Sequence, residues 1–251
     1  MKYIRKLFNN IFSRRKVIEH FVSEGIDLKI IDTIYPIKKY KTRCIEDDLG
    51  GWYSAIYIDK KMIIQPILVN AQKIITYWFG MHSNPHNAIV LGCAGCSIVR
   101  FLSFKYSHCK IIGVEYSNIL IEIAKKYFFI EQYSNFKLLH NDAFHFIKNV
   151  NEICCDLIFV DLFSKNEICP QVLDENFIIS LYRICNTNAL VVLNMYGVSL
   201  QRIKTVIPHK FIKIIISDKN MCLYLLLVKS NDIDLIEKYT YCLKQHFNII
   251  A

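Results

Sequence analysis

The chain has 251 residues, 53% of them apolar, which is enough for one large domain, or a domain with an appendage, around a sizeable core; this excludes a disordered chain. Its 31 basic and 22 acidic side chains give a net +9, but Lys2, Arg5, Lys6, Arg14, Arg15 and Lys16 all lie in residues 1–18, where there is no acid. Residues 19–251 hold 25 bases and 22 acids, a net +3, too near neutral for a phosphate-binding surface, so no nucleic-acid partner is expected.

The longest uninterrupted apolar stretch, Met221–Val228, falls far short of the roughly 20 residues that cross a bilayer, so no transmembrane segment is expected. The ten cysteines mostly sit inside apolar runs, where Cys behaves as a small hydrophobe. They do not form the spaced framework of a small secreted domain, and a reducing, cytoplasmic location is expected. Cys93 and Cys96 read C-x-x-C, but no second C-x-x-C or His pair completes a zinc site, and a glycine loop accounts for the spacing. His82, His86, His140 and His145 show no ligand spacing, so no metal is expected.

In residues 1–20, Ile4, Phe8, Ile11 and Phe12 recur at helical spacing opposite Lys and Arg, which predicts a basic amphipathic helix. It either packs on the body of the protein or serves a membrane-surface or targeting role. Residues 21–75 read as a small β-rich region: Trp52–Ile58 and Met62–Ile64 flank the polar break Asp59-Lys60-Lys61, a hairpin pattern.

Within residues 76–251 the pattern changes at Ala88. Short apolar runs at Ala88–Leu91, Ile111–Val114, Phe136–Leu139, Leu157–Val160 and Ala189–Leu193 predict strands buried on both faces of a parallel sheet. Helical stripes lie between them: Leu120, Ala124, Tyr127 and Phe128 behind a Ser117 cap, then Phe177, Leu181, Ile184 and Cys185. Phe211–Ser217 and Met221–Lys229, split by Asp218-Lys219-Asn220, predict an antiparallel hairpin. The fold class is α/β: a doubly wound, mostly parallel sheet of the methyltransferase-like kind ending in that hairpin.

Ligands of such sheets bind beyond the carboxyl ends of the strands, so the residues after each run come first. Gly92-Cys93-Ala94-Gly95-Cys96-Ser97 follows the first; Gly92 and Gly95 there let backbone approach a ligand, or simply make a tight turn. Glu115 ends the second run, where a carboxylate can accept from both hydroxyls of a ribose. After the third come Asp142, able to accept from an adenine amine or to cap a helix, and Ala143, which leaves room for the ring. Asp161 ends the fourth, where an acid is costly unless paired, hydrated or used, which makes it the candidate proton acceptor.

Taken in order, Val90-Leu91-Gly92-Cys93-Ala94-Gly95-Cys96-Ser97-Ile98-Val99-Arg100, Gly113-Val114-Glu115, Ala124-Lys125-Lys126-Tyr127-Phe128, Asn141-Asp142-Ala143-Phe144 and Asp156-Leu157-Ile158-Phe159-Val160-Asp161 resemble the spermidine synthase family. The resemblance covers about residues 85–200 and, loosely, the β region before them. It implies transfer of an aminopropyl group from decarboxylated S-adenosylmethionine to a polyamine. Glu115 would hold the ribose, Asp142 the adenine, and Asp161 would deprotonate or orient the attacking amine. A homodimer is compatible with it.

The chain departs from the family pattern at Gly95, Ser117, Ser164, Lys165 and Asn70. Most of these changes remove groups that bind a cationic amine, while the nucleoside-binding set largely survives. Three readings are open: aminopropyl transfer, methyl transfer from intact S-adenosylmethionine, and a non-catalytic nucleoside-binding or interaction module.

Overall fold

A computed structural model of the protein describes residues 13–23, 26–36, 39–59, 65–150, 154–164, 167–217 and 223–250. The first four strands, β1 (Arg14–Ser23), β2 (Ile26–Tyr35), β3 (Tyr40–Asp47) and β4 (Trp52–Tyr57), form an antiparallel sheet in sequential order. The helix predicted over residues 1–20 therefore does not extend beyond Ser13. Val17, Ile18, Phe21 and Val22 suit a strand, and pairing with β2 decides the conformation. Residues 1–12 lie outside the described residues. β4 exists as expected, but its hairpin partner is β3, across a turn where Gly50 takes φ +81°; residues 60–64, the other half of the predicted hairpin, lie outside the described residues.

Helix α1 (Val69–Gly80) spans the boundary expected at 75/76 and shares one apolar core with residues of both the antiparallel sheet and the larger, mostly parallel one. Trp78 is fully buried, its indole N–H donates to Asn188 O at 2.9 Å, and its ring meets Tyr239 edge-on at 4.8 Å. Removing such a side chain costs about 3–5 kcal/mol.

After it, strands and helices alternate: β5 (Asn87–Leu91), α2 (Ser97–Lys105), β6 (Lys110–Glu115), α3 (Asn118–Phe128), β7 (Phe136–His140), α4 (Ala143–Asn149) and β8 (Cys155–Val160). Two short strands, β9 (Phe163–Ser164) and β10 (Glu167–Ile168), precede α5 (Glu175–Ile184) and β11 (Cys185–Asn194). The end comprises α6 (Leu200–Lys204), β12 (Ile212–Ser217), β13 (Leu223–Lys229), α7 (Ile233–Lys244) and β14 (Asn248–Ile249). The large sheet runs β14-β12-β13-β11-β8-β5-β6-β7.

From β7 to β11 the neighbours are parallel, and β13 runs antiparallel between β11 and β12, the predicted hairpin. β5, β8 and β11 are sealed on both faces, which is why they read as unbroken apolar runs. β7 is the exception among the five: it is only half-buried and stands at the edge, with no strand among the described residues pairing with its outer side. Ser117 caps α3 as expected, its hydroxyl accepting from Leu120 N at 3.3 Å.

The antiparallel sheet is fastened to this body. Leu28, Ile30, Ile45 and Ile56 share one apolar core with Cys96, Val99 and Phe128. The Ser97 hydroxyl, at the start of α2, donates to Ala55 O at 2.9 Å, accepts from Ala55 N at 3.1 Å and touches the Ser54 hydroxyl at 2.5 Å. These contacts hold β4 over the carboxyl ends of the central strands.

Candidate active site

The chain goes β5, β6, β7 outward on one side and returns to β8 on the other, so the strand order reverses at β5. Loops leaving β5 and β8 diverge there and open a crevice. Gly92 makes the divergence feasible: its φ is +80°, and a side-chain carbon on it would lie 2.2 Å from Asp161 O. Only glycine tolerates both conditions.

Glu115 is 7% exposed, with its carboxylate turned back on the loop after β5. Oε2 accepts from Cys93 N at 3.0 Å and Ala94 N at 2.9 Å, and Oε1 accepts from Ser117 N at 3.0 Å. A carboxylate offers about four acceptor positions, so capacity remains beyond these three donors. Asp142 is the N-cap of α4, Oδ1 accepting from His145 N at 2.7 Å, which leaves Oδ2 for another donor. Buried Ala143 lies beside it.

Asp161 receives a hydrogen bond from Asn194 Nδ2 at 2.8 Å. Burial pushes its carboxyl up from 3.8 to about 6; the Asn194 hydrogen bond pulls the other way and the Glu115 charge adds to the rise. The group is thus a carboxylate at neutral pH and a far better proton acceptor than an exposed Asp.

Glu115, Asp142, Ala143, Asp161 and Gly92 all line one cavity of about 680 Å³, within the roughly 300–1,000 Å³ usual for small-molecule sites. Gly95 does not line it. A side-chain carbon there would meet Ser54 Cβ at 2.7 Å and Phe128 Cδ1 at 2.9 Å, so Gly95 serves the close approach of β4 to the loop and not that of a ligand. Cys93 and Cys96 are buried free thiols, and burial, reinforced by the neighbouring Cys96 and Glu115, pushes the Cys93 thiol up. Among the described residues no group of three or more His, Cys, Asp or Glu could hold a metal.

Sequence reasoning misses several residues of the lining. Asn194 ends the fifth apolar run, so the rule that singles out Glu115 and Asp161 points to it as well. Gly51, Trp52 and Tyr53 arrive from the antiparallel sheet, and Tyr224 lies opposite Asn194 on β13. Among the described residues none that lines the cavity is basic, while Glu115, Asp142 and Asp161 are acids.

A methyltransferase-like sheet with strand-tip carboxylates around a switch-point cavity defines the class. The spermine/spermidine synthase domain matches residues 70–225, and the chain belongs to that family. A probable spermidine synthase from Corynebacterium glutamicum is similar over 93% of this chain and 90% of its own, with TM-score 0.67 and 15% identity. The spermidine synthase from Thermotoga maritima is similar over 89% of this chain and 75% of its own (TM-score 0.57, 16% identity). Human methyltransferase-like protein 13, solved with SAH, is similar over 70% of this chain and 90% of its own (TM-score 0.55, 17% identity). No curated protein sequence matches the chain. Family membership supports a transferase-type function, and the solved structures share the fold.

Proposed function

We propose that this protein transfers an aminopropyl group from decarboxylated S-adenosylmethionine to an amine. The observation that carries the reading is the charge of the cavity: three carboxylates and, among the described residues, no cation in the lining. Such a site favours a sulfonium and an ammonium over any anion. The carboxylate of intact S-adenosylmethionine would face these acids without a basic partner. Two loop amides that could otherwise receive an anion, Cys93 N and Ala94 N, are engaged by Glu115.

In this reading the remaining acceptor capacity of Glu115 takes the ribose hydroxyls, and Asp142 Oδ2 takes the exocyclic amine of adenine. Val114, Leu120 and Ala143 provide the apolar surround of the ring. Asp161 accepts a proton from the acceptor ammonium, whose pKa near ~10 leaves it without a lone pair at neutral pH. The freed pair attacks the carbon beside sulfur. A C–N bond forms as the C–S bond breaks, and the bonding pair goes to sulfur. The sulfonium leaves as a neutral thioether, so no general acid is required. Asn194 holds the Asp161 carboxylate in place.

The test is a ligand panel with product analysis. Decarboxylated S-adenosylmethionine and methylthioadenosine should raise the melting midpoint, while S-adenosylhomocysteine, which keeps the carboxylate, should bind at least tenfold more weakly, equivalent to about 1.4 kcal/mol. Methylthioadenosine should accumulate only when donor and an amine are both present. Tightest binding of S-adenosylhomocysteine with no aminopropyl transfer would refute the proposal in favour of methyl transfer.

A further inference from the structure

Among the described residues the carboxylate of Asp161 has one hydrogen-bond donor: Asn194 Nδ2 reaches its Oδ1 at 2.8 Å. The two side chains stand at the tips of neighbouring parallel strands, β8 and β11, just beyond the paired Val160 and Leu193, and both line the cavity. The other end of the amide is engaged too, Asn194 Oδ1 accepting from Tyr196 N at 3.3 Å. That N–H belongs to a turn that is itself tied down: Met195 N donates to Leu223 O at 2.9 Å, Val198 N donates to Met195 O at 3.1 Å, and Gly197 takes φ +77°.

These two neighbours admit one orientation of the amide. A carboxylate only accepts and a backbone N–H only donates, so turning the amide over would set oxygen against carboxylate oxygen and NH2 against N–H. Asp161 Oδ1 is therefore held from β11, and Oδ2 is left without a donor among the described residues. Burial pushes the Asp161 carboxyl up, the Asn194 hydrogen bond is the influence that opposes it, and Glu115 adds to the rise. The other charged group of the described lining, Asp142, is again an acid; Cys169 and four tyrosines complete its titratable side chains, and thiols and phenols ordinarily ionise above about pH 8. A neutral donor favours the carboxylate without cancelling the negative field that draws in an ammonium or a sulfonium, which a lysine or arginine at this position would do.

Resting on the aminopropyl-transfer reading, we infer that Asn194 is a positioning residue of the reaction, locked by Tyr196 N so that it aims Asp161 Oδ2 at the acceptor amine and favours the charged form that takes the proton. Asn194 acts through Asp161 and takes part in no bond change. Replacing it by Asp preserves its size and the bond from Tyr196 N but sets two carboxyls at hydrogen-bond distance, where they hold one proton between them as a coupled pair. Replacing it by Leu removes the donor at similar volume. Either change moves up the pH at which Asp161 becomes a base.

The test has two readouts. Transfer by the full chain is followed as methylthioadenosine release between pH 5 and pH 9, and the Asp161 carboxyl is titrated by carbon-13 NMR in protein labelled at Asp, with Asp161→Asn assigning its signal. Asn194→Asp and Asn194→Leu should each move the acid limb of kcat/KM and the Asp161 titration upward by at least about one pH unit, so that the activity of each variant relative to the unmodified protein is about tenfold lower at pH 5 than at pH 9. A role confined to packing would lower activity alike at every pH and leave the titration in place, and that result in both variants overturns this inference while leaving aminopropyl transfer intact. A shifted titration with no transfer to any amine by the unmodified protein upholds the coupling of Asn194 to Asp161 and overturns the transfer reading. If the titration is unmoved and no transfer occurs, both fall.

Discussion

Replacing Asp161 by Asn should make the protein more stable and catalytically inert at once. The amide keeps an oxygen to accept from Asn194 Nδ2, so the 2.8 Å hydrogen bond can persist while the charge disappears. The carboxyl of Asp161 is pushed from 3.8 to about 6 by burial, opposed by Asn194 and reinforced by Glu115. An acid whose folded pKa is raised destabilises the fold in its charged form. The penalty is absent below pH 3.8, grows between 3.8 and about 6, and is complete above that.

A gap of roughly 2 pH units corresponds to about 3 kcal/mol. In a chain of this size that is a rise of about 6–12 °C in midpoint. The assay is scanning fluorimetry of both proteins at pH 8 and at pH 4, alongside aminopropyl transfer at pH 8. The gain should be present at pH 8 and nearly gone at pH 4, and transfer should fall by about a hundredfold or more because an amide cannot accept the proton. A variant that melts at or below the unmodified protein at pH 8, or gains equally at both values, would show that the carboxylate is not held at a cost, and the argument for Asp161 as base would fail.

The same geometry fixes three other outcomes. The kcat/KM of transfer should rise with pH through about 6 as Asp161 loses its proton, and a profile flat between pH 5 and 7 would contradict its role. Gly95→Asp should lower the melting midpoint and leave donor affinity no better. The new side chain meets Ser54 and Phe128 instead of the cavity, and tighter donor binding would refute that placement. Ser97→Ala should cost about 1–3 kcal/mol in chemical denaturation, because Ala55 N loses its buried acceptor; a loss below 0.5 kcal/mol, roughly the error of such measurements, would contradict the clamp.

The body of the fold is legible in the sequence because central parallel strands are apolar on both faces, so β5, β8 and β11 stand out as short unbroken runs. The acids that end such runs are legible for the same reason: Glu115 and Asp161 are abrupt charges at a buried edge. Asn194 obeys that rule too and escapes notice only because it carries no charge. The strand β1 is not legible, since Arg14–Ser23 mixes charge with β-branched residues and is decided by pairing with β2. Gly95 misleads because its small size serves Ser54 on a distant strand, a contact that no local pattern encodes. Trp52 and Tyr53 stay hidden for a similar reason: they join the cavity lining through the docking of one sheet on another.

The most direct test is a crystal structure of the protein grown with methylthioadenosine. It should show the ribose hydroxyls within hydrogen-bond distance of Glu115, the adenine amine at Asp142 with the ring over Ala143, and the sulfur turned toward Asp161. Nucleoside bound outside this cavity, or a cavity still empty at saturating concentration, would contradict the claim that the strand-tip carboxylates form a single donor site.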